Sequence, residues 1–473
     1  MKQDFLDYIQ DTFKFAPAEM KDFKTALSTP LKKTIRVNTN KISIEDFKLL
    51  AEKNSWGLTE TPLAKNMFYI DREDTSIALG NTLEHIAGYF YVQELAASSS
   101  PYYLSEDRLD TNEYTILDMS ASPGWKTTQL AEYYPSSIII ANEIDKSRMR
   151  QLHENTDRLG AKNCFVTNYD GRHFKNHPEI FDKILLDAPC SWEWTAYKSD
   201  DALKYWNLKN IKRIAKLQFQ LLESAFVALK VWGELVYSTC TLNRLENEDI
   251  INKLTDKYGD YFRIVLLPIT KNTIVSSLLG GENWERFVRA WPHKNNTWGF
   301  FVVKLIKKES IDDSWVSKKL QKNTQWFEKL SNTSEKTVIH FLQHTFWLSL
   351  PGKFYTYRDE IYYGQKNIDF FWENFFLFKA GIKIGKIENW NFEPNFFIGT
   401  NFGTFTKNAI KLSKKHVDAL FKWQEVSVEN IDLYSERGDG YYQIISDSIP
   451  AGIVKVKSWN MKSLLESRFL RKS

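Results

Sequence analysis

The sequence predicts an α/β protein centred on a doubly wound parallel sheet, with a further region on either side. Three observations predict it. Strand and helix patterns alternate from about residue 114 to 306, the rhythm of parallel strands joined by crossover helices. The predicted strands there end in short runs of small, acidic or sulfur-bearing residues, and ligands bind at such ends in open α/β sheets. The chain has 473 residues, more than one core fills, so two or three domains are expected.

Residues 1–105 read as an N-terminal α/β region, where TIRVNTNKISIEDFKLLAEKN (34–54) runs from a strand into a short amphipathic helix. Residues 106–306 form the central domain. Its strands are YTILDM (114–119), SIIIANE (137–143), CFVTNYD (164–170), FDKILLD (181–187) and ELVYSTC (234–240). Between the last two, Ile211, Ala215, Gln218, Leu222, Ala225 and Leu229 recur at the spacing of a long helix. Residues 307–330 are polar and read as a linker. From 331 to 473, aromatic-rich short strands and turns predict a separate small domain.

With 43% apolar and 26% charged residues, the chain is a folded, water-soluble protein. No stretch approaches the ~18 unbroken apolar residues of a membrane span, and the first residues lack an apolar signal core. A cytoplasmic monomer without a membrane partner is expected. Cys164, Cys190 and Cys240 are widely spaced and form no CxxC pair. That argues against a disulfide framework or a metal site and leaves a reactive thiol open. The net charge of +4 is modest, so a polyanion surface would need local clusters. Lys209, Lys212, Arg213 and Lys216 form one candidate, and Arg468, Arg471 and Lys472 another.

The first strand of the central domain ends in LDMSASPGWKTTQL (117–130). Ser120, Ala121, Ser122, Pro123 and Gly124 make a tight turn whose backbone amides can approach a ligand. The helix that follows, from Trp125 and Lys126, adds partial positive charge suited to a carboxylate. The second strand ends in Glu143, placed to bind ribose hydroxyls, and the third in Asp170, placed to accept from an adenine amino group. Each acid alone is more often a solvated residue or part of a turn; acids in register on successive strand ends, with Asp187 on the fourth, make the pattern. The fourth strand ends in Asp187-Ala188-Pro189-Cys190-Ser191 and the fifth in Ser238-Thr239-Cys240-Thr241. A single buried cysteine is usually packing, but both of these sit just past strand ends. Cys164 lies inside a strand and keeps a structural role.

These residues carry a resemblance. The chain resembles the Sun-type RNA (cytosine-5) methyltransferases, and within them the bacterial 16S ribosomal RNA methyltransferase F branch. The matching elements are RVNTNK (36–41), YVQELA (91–96), SPGWKTTQ (122–129), YDG (169–171), DAPCS (187–191), YSTCTLNRLENE (237–248) and WPHKNNTWGFF (291–301). The resemblance implies a Rossmann-like SAM-dependent methyltransferase domain, SAM being S-adenosylmethionine. It also implies an RNA-binding N-terminal region and a PUA-like RNA-binding C-terminal region, the latter on AGIKIGKIENWNFEP (380–394) and the tail from 449. By it, Cys240 attacks cytosine C6, Cys190 serves release, Asp187 steadies the base near N3, and Lys126 holds the SAM carboxylate or steadies Asp187. The RNA would be ribosomal, with transfer RNA as the alternative. An amino-methyltransferase would instead carry an aromatic tetrapeptide of the DPPY kind where this chain has DAPC.

One departure is systematic. Trp125, Trp192, Trp194, Trp232, Trp298, Trp390 and Trp459 stand where the family has glycine or another small residue, and the chain holds 16 Trp but only 20 Gly. Drift would scatter many residue types over such positions. GGA and UGA differ by one base, and some bacteria read UGA as glycine, so the expectation is recoded glycine codons. The competing expectation is an impaired RNA-binding relative, though one that has kept both cysteines, Asp187 and Lys126.

Overall fold

A computed structural model describes residues 2–106, 109–191, 193, 206–267, 287–311, 327–364, 369–427 and 438–466. The second basic cluster, Trp192, Trp194 and most of the expected linker lie outside the described residues. Five parallel strands form the centre, in the spatial order Leu229–Thr239, Phe181–Asp187, Thr115–Asp118, Ile138–Asn142 and Cys164–Thr167. Each of the five predicted strands is present, and the order reverses beside Thr115–Asp118, where ligands bind in such sheets. Antiparallel strands Phe300–Lys307 and Phe262–Val265 extend the sheet beyond Leu229–Thr239.

The long helix forms where the apolar spacing placed it. Leu208–Ala228 starts at Asn207, whose side chain accepts from the Asn210 amide, and buries Ile211, Ala215, Gln218, Leu222 and Ala225. Its Lys209, Lys212, Arg213 and Lys216 are all exposed. Lys146–Leu159 is capped by Asp145 and ends on Gly160 at φ +74°, the left-handed terminus glycine favours.

The N-terminal region carries a four-stranded sheet that includes Thr34–Val37 and Phe90–Val92, and it is bolted to the central domain by polar groups. Arg36, fully buried, pairs with Glu132 and donates to Thr128 (2.9 Å) and Gln93 (3.0 Å). Asn38 donates to the carbonyls of Gly88 and Leu159. Residues Phe5 to Leu27 pack with Trp206, Leu242 and Trp291.

The expectation of a separate domain from residue 331 needs one correction. Leu377–Ala380 pairs antiparallel with Cys164–Thr167 and extends the central sheet. Buried Lys379 fixes it there, pairing with Asp157 (2.7 Å) and donating to Thr156 (2.6 Å). The rest of the region folds as two five-stranded sheets, Phe327–Lys329 through Asn391–Pro394 and Ala409–Lys411 through Asn460–Ser463, so the end of the expected linker is itself a strand of the first sheet, paired with Lys353–Tyr357.

Candidate active site

The turn after Thr115–Asp118 reverses at Gly124, at φ +103°, and passes directly into helix Trp125–Tyr133. A Cβ at Gly124 would meet Leu152 at 3.0 Å, so the position suits glycine in space as well as in backbone angle. Buried Glu143 braces the turn from the next strand, accepting from the Ser122 amide (3.3 Å) and the Asp145 amide (2.9 Å). Arg148 lies 3.7 Å from Glu143 and donates to the Ser122 carbonyl at 2.8 Å.

Lys126 is buried and forms an ion pair with Asp187, the last residue of its strand. The ammonium lies 5.2 Å from the Trp125 ring and 5.4 Å from the Phe300 ring, close enough for cation–π attraction. Asp187 also accepts from Ser238 at 2.8 Å. Behind the pair, burial pushes the Asp118 carboxyl up to about 7 against a hydrogen bond from Thr127.

A cavity of about 570 Å³ opens above the strand ends, walled by Ser122, Pro123, Lys126, Asp187 and Cys240. Trp125 and Trp298 line it too, their rings 6.0 Å apart and tilted. Cys240 follows directly on Thr239 and is part-exposed, whereas Cys190 is buried and lies outside the cavity wall. Ser120, Ala121, Gly124, Glu143 and Asp170 stand behind or beside the wall rather than in it. Asp170 caps the turn Gly171–Asn176, and hydrogen bonds from Arg172 hold its carboxyl below the usual range.

The loops bearing the two cysteines are tied together by residues that sequence reasoning assigned no role. Glu193 accepts from the amides of Leu242 (2.7 Å) and Asn243 (3.1 Å) and from Trp206 Nε1 (2.8 Å). Glu246 accepts from the Ser191 amide (2.9 Å) and from Gln218 (2.8 Å). The Asn243 amide group reaches both carboxyls. Burial, then the neighbouring Glu193 charge, raises Glu246 to about 7. The Cys240 loop is pinned by Asn247, which accepts from Thr239 and donates to the Thr241 carbonyl. Glu94 receives Thr297 and the Trp298 amide, so the YVQELA segment reaches the cavity.

Residues 108–306 match the family model for 16S rRNA methyltransferase RsmB/F, and residues 1–95 match the N-terminal domain of 16S rRNA methyltransferase RsmF. Ribosomal RNA small subunit methyltransferase F of Shewanella sp. (strain W3-18-1) is 38% identical over 365 residues, 76% of this chain and 74% of that protein. This chain belongs to the 16S rRNA methyltransferase RsmB/F family. The RsmB/F likeness extends to methyltransferase F of Vibrio cholerae serotype O1 (strain M66-2), 40% identical over 71% of this chain and 70% of that one. Among solved structures, a methyltransferase homolog protein from Pyrococcus horikoshii is 28% identical at a TM-score of 0.53, covering 65% of this chain and 100% of that one. NSun6 from the same organism, with SFG, is 24% identical at a TM-score of 0.56, covering 65% and 99%, and shows the fold alone. The central domain is thus the Rossmann-like SAM-dependent methyltransferase fold of the RsmB/F family.

Proposed function

We propose that this chain methylates C5 of a cytosine in 16S ribosomal RNA, with SAM as donor and Cys240 as covalent nucleophile. The observation that carries the reading is the convergence of Cys240 and the Lys126–Asp187 pair on one cavity, beside the Ser122–Pro123 turn.

The residues present fit SAM. The turn at Gly124 and the N-terminus of helix Trp125–Tyr133 suit its carboxylate. Buried Glu143 stands at the next strand end, where ribose hydroxyls bind in related sheets. When bound, SAM supplies an electrophilic methyl group on a sulfonium.

The protein's own groups do the rest. Cys240 Sγ adds to C6, opening the C5–C6 double bond and making C5 nucleophilic. Asp187, held by Lys126 and Ser238, steadies the base near N3 as charge builds on the ring. After C5 takes the methyl group, a general base takes the C5 proton, the C–H electron pair re-forms the C5–C6 double bond, and the C6–S bond breaks to return the Cys240 thiolate. Cys190 serves this release. Chemistry at C5 needs an unstacked base, so the target nucleotide is flipped out or lies in an open segment. Residues 1–105 and a PUA-like region in 331–473 hold the RNA, aided by the exposed cations of helix Leu208–Ala228.

C240A should abolish methyl transfer from tritiated SAM to small-subunit RNA while SAM binding stays intact. C190A should trap a protein–RNA adduct, visible as a slow band on a denaturing gel. Normal turnover by C240A would remove the proposed nucleophile.

A further inference from the structure

Sixteen described non-glycine residues have positive φ, and five of them are tryptophan: Trp232 (65°), Trp347 (54°), Trp390 (64°), Trp423 (60°) and Trp459 (66°). Tryptophan supplies only 16 of the 473 residues of the chain, so the left-handed region is heavily enriched in it. Bulky side chains are outliers there, because Cβ crowds the backbone; glycine, asparagine and aspartate are the usual occupants. Most of the other eleven residues are polar, among them Asn296, Asn389, Asn408 and Asp447.

Each of the five sits in a motif with its own demand for glycine. Asn389–Trp390 is the two-residue loop between paired Glu388 and Asn391, with both central residues at positive φ. That is the type I′ hairpin turn, whose preferred sequence is Asn-Gly. Ser458–Trp459 repeats it between Lys457 and Asn460. Trp347 ends helix Asn332–Phe346 with its amide on the Gln343 carbonyl, the left-handed cap closed by a bond to the residue four back, which takes glycine at this place. At Trp423 the Gln424 amide reaches back to the Ala419 carbonyl and the Trp423 amide to the Leu420 carbonyl past helix Lys414–Leu420, the Schellman arrangement, which also takes glycine there. Trp232 precedes Gly233 where the pairing with Phe181–Asp187 shifts register, a place for a bulge glycine.

The indoles lie toward the surface, although Trp423 Nε1 donates to the Leu465 carbonyl (3.1 Å). All five are between 48% and 75% exposed. Trp206 and Trp291, by contrast, are buried in an aromatic cluster and absent from the positive-φ set.

We propose that Trp232, Trp347, Trp390, Trp423 and Trp459 are glycines in the protein as its own cells make it, encoded by UGA triplets read there as glycine. Two of them, Trp347 and Trp423, are marked by backbone geometry and by no family motif. The inference is independent of the catalytic reading, since none of the five lines the cavity. It bears on the cavity all the same. Trp125 and Trp298, which stand where the resemblance implies glycine or another small residue, become candidates for the same codon, and glycine there would clear two indoles from the cavity wall shared with Lys126 and Cys240.

The test reads the gene's codons together with peptide masses of the protein isolated from its own organism. UGA at all five positions with glycine in the peptides is expected, alongside UGG and tryptophan at Trp206 and Trp291. A UGG codon at any of the five, or tryptophan in any of those peptides, would overturn the proposal.

Discussion

Replacing Lys126 with Met separates the two roles open to that side chain. Met preserves the length of the buried stem but removes the charge, and with it the cation–π attraction to the Trp125 and Phe300 rings. Asp187 would keep the hydrogen bond from Ser238 and lose its counter-ion. Breaking a fully buried pair costs ~3–5 kcal/mol. The Asp187 side chain is 25% exposed, so water compensates part of the loss and about 2–3 kcal/mol is expected. Lys126 also lowers the Asp118 carboxyl by charge attraction, and its removal would leave two acids facing each other. K126M should therefore unfold at lower urea, and K126M/D187N, which leaves no unpaired charge, should recover most of the difference. Methyl transfer by K126M should fall further than SAM affinity does. If SAM affinity fell by tenfold or more while stability held, Lys126 would be serving the SAM carboxylate and the pairing argument would fail.

Asp118 gives a pH prediction. Its folded carboxyl is raised from 3.8 to about 7 by burial, so the folded state holds the proton more tightly than the unfolded chain. The native state is thus destabilised progressively as pH rises from about 4 to 7, by roughly 4 kcal/mol in all. D118N should flatten that slope in urea titrations across the range; an unchanged slope would show that Asp118 does not cause it. E143A and D170A should weaken SAM binding roughly ten- to a hundredfold, the worth of a hydrogen bond to a charged group at ~1.5–3 kcal/mol. Calorimetry showing unchanged SAM affinity in both would contradict their strand-end roles. Changing the five positive-φ tryptophans to glycine should stabilise the recombinant protein. Relief of ~1–2 kcal/mol of left-handed strain per site exceeds the ~0.5–1 kcal/mol of extra chain entropy. The sites lie in separate turns and helix ends, so their effects should add to about 3 kcal/mol. Identical urea midpoints would refute the strain argument.

The central sheet was legible because its strands are nearly continuous apolar runs, as strands covered on both faces must be. YTILDM and FDKILLD need no partner to be recognised. Strand Leu377–Ala380 was not legible as part of this sheet. Four residues, LFKA, give no sign that their partner lies some two hundred positions earlier, and the decisive contact is a lysine. Lys379 reads as a solvated charge until Asp157 and Thr156 are seen around it. The same holds for Arg36. Its motif could be quoted, but its ties to Glu132, Thr128 and Gln93 across the region boundary needed coordinates.

The site was legible to different depths. Residues that end strands could be placed from pattern alone, which is why Asp187 and Cys240 were found and fall in one cavity wall. Glu193 was assigned no role, since a polar residue in a loop reads as solvated; Gln218 was placed on the inner face of its helix, and Asn243 and Glu246 stood inside a quoted motif, but the hydrogen bonds that join them needed coordinates. The tryptophans show the converse. Motif comparison marked Trp232, Trp390 and Trp459, and the backbone independently gives all three positive φ. It gives the same at Trp347 and Trp423, where no motif was available. A helix-ending glycine is a requirement of the backbone, visible as a residue choice only once the last turn of the helix has been located. Trp125 and Trp298 divide from that group. Neither has positive φ, so at these two positions the demand for a small residue comes from the cavity their indoles narrow and not from the backbone.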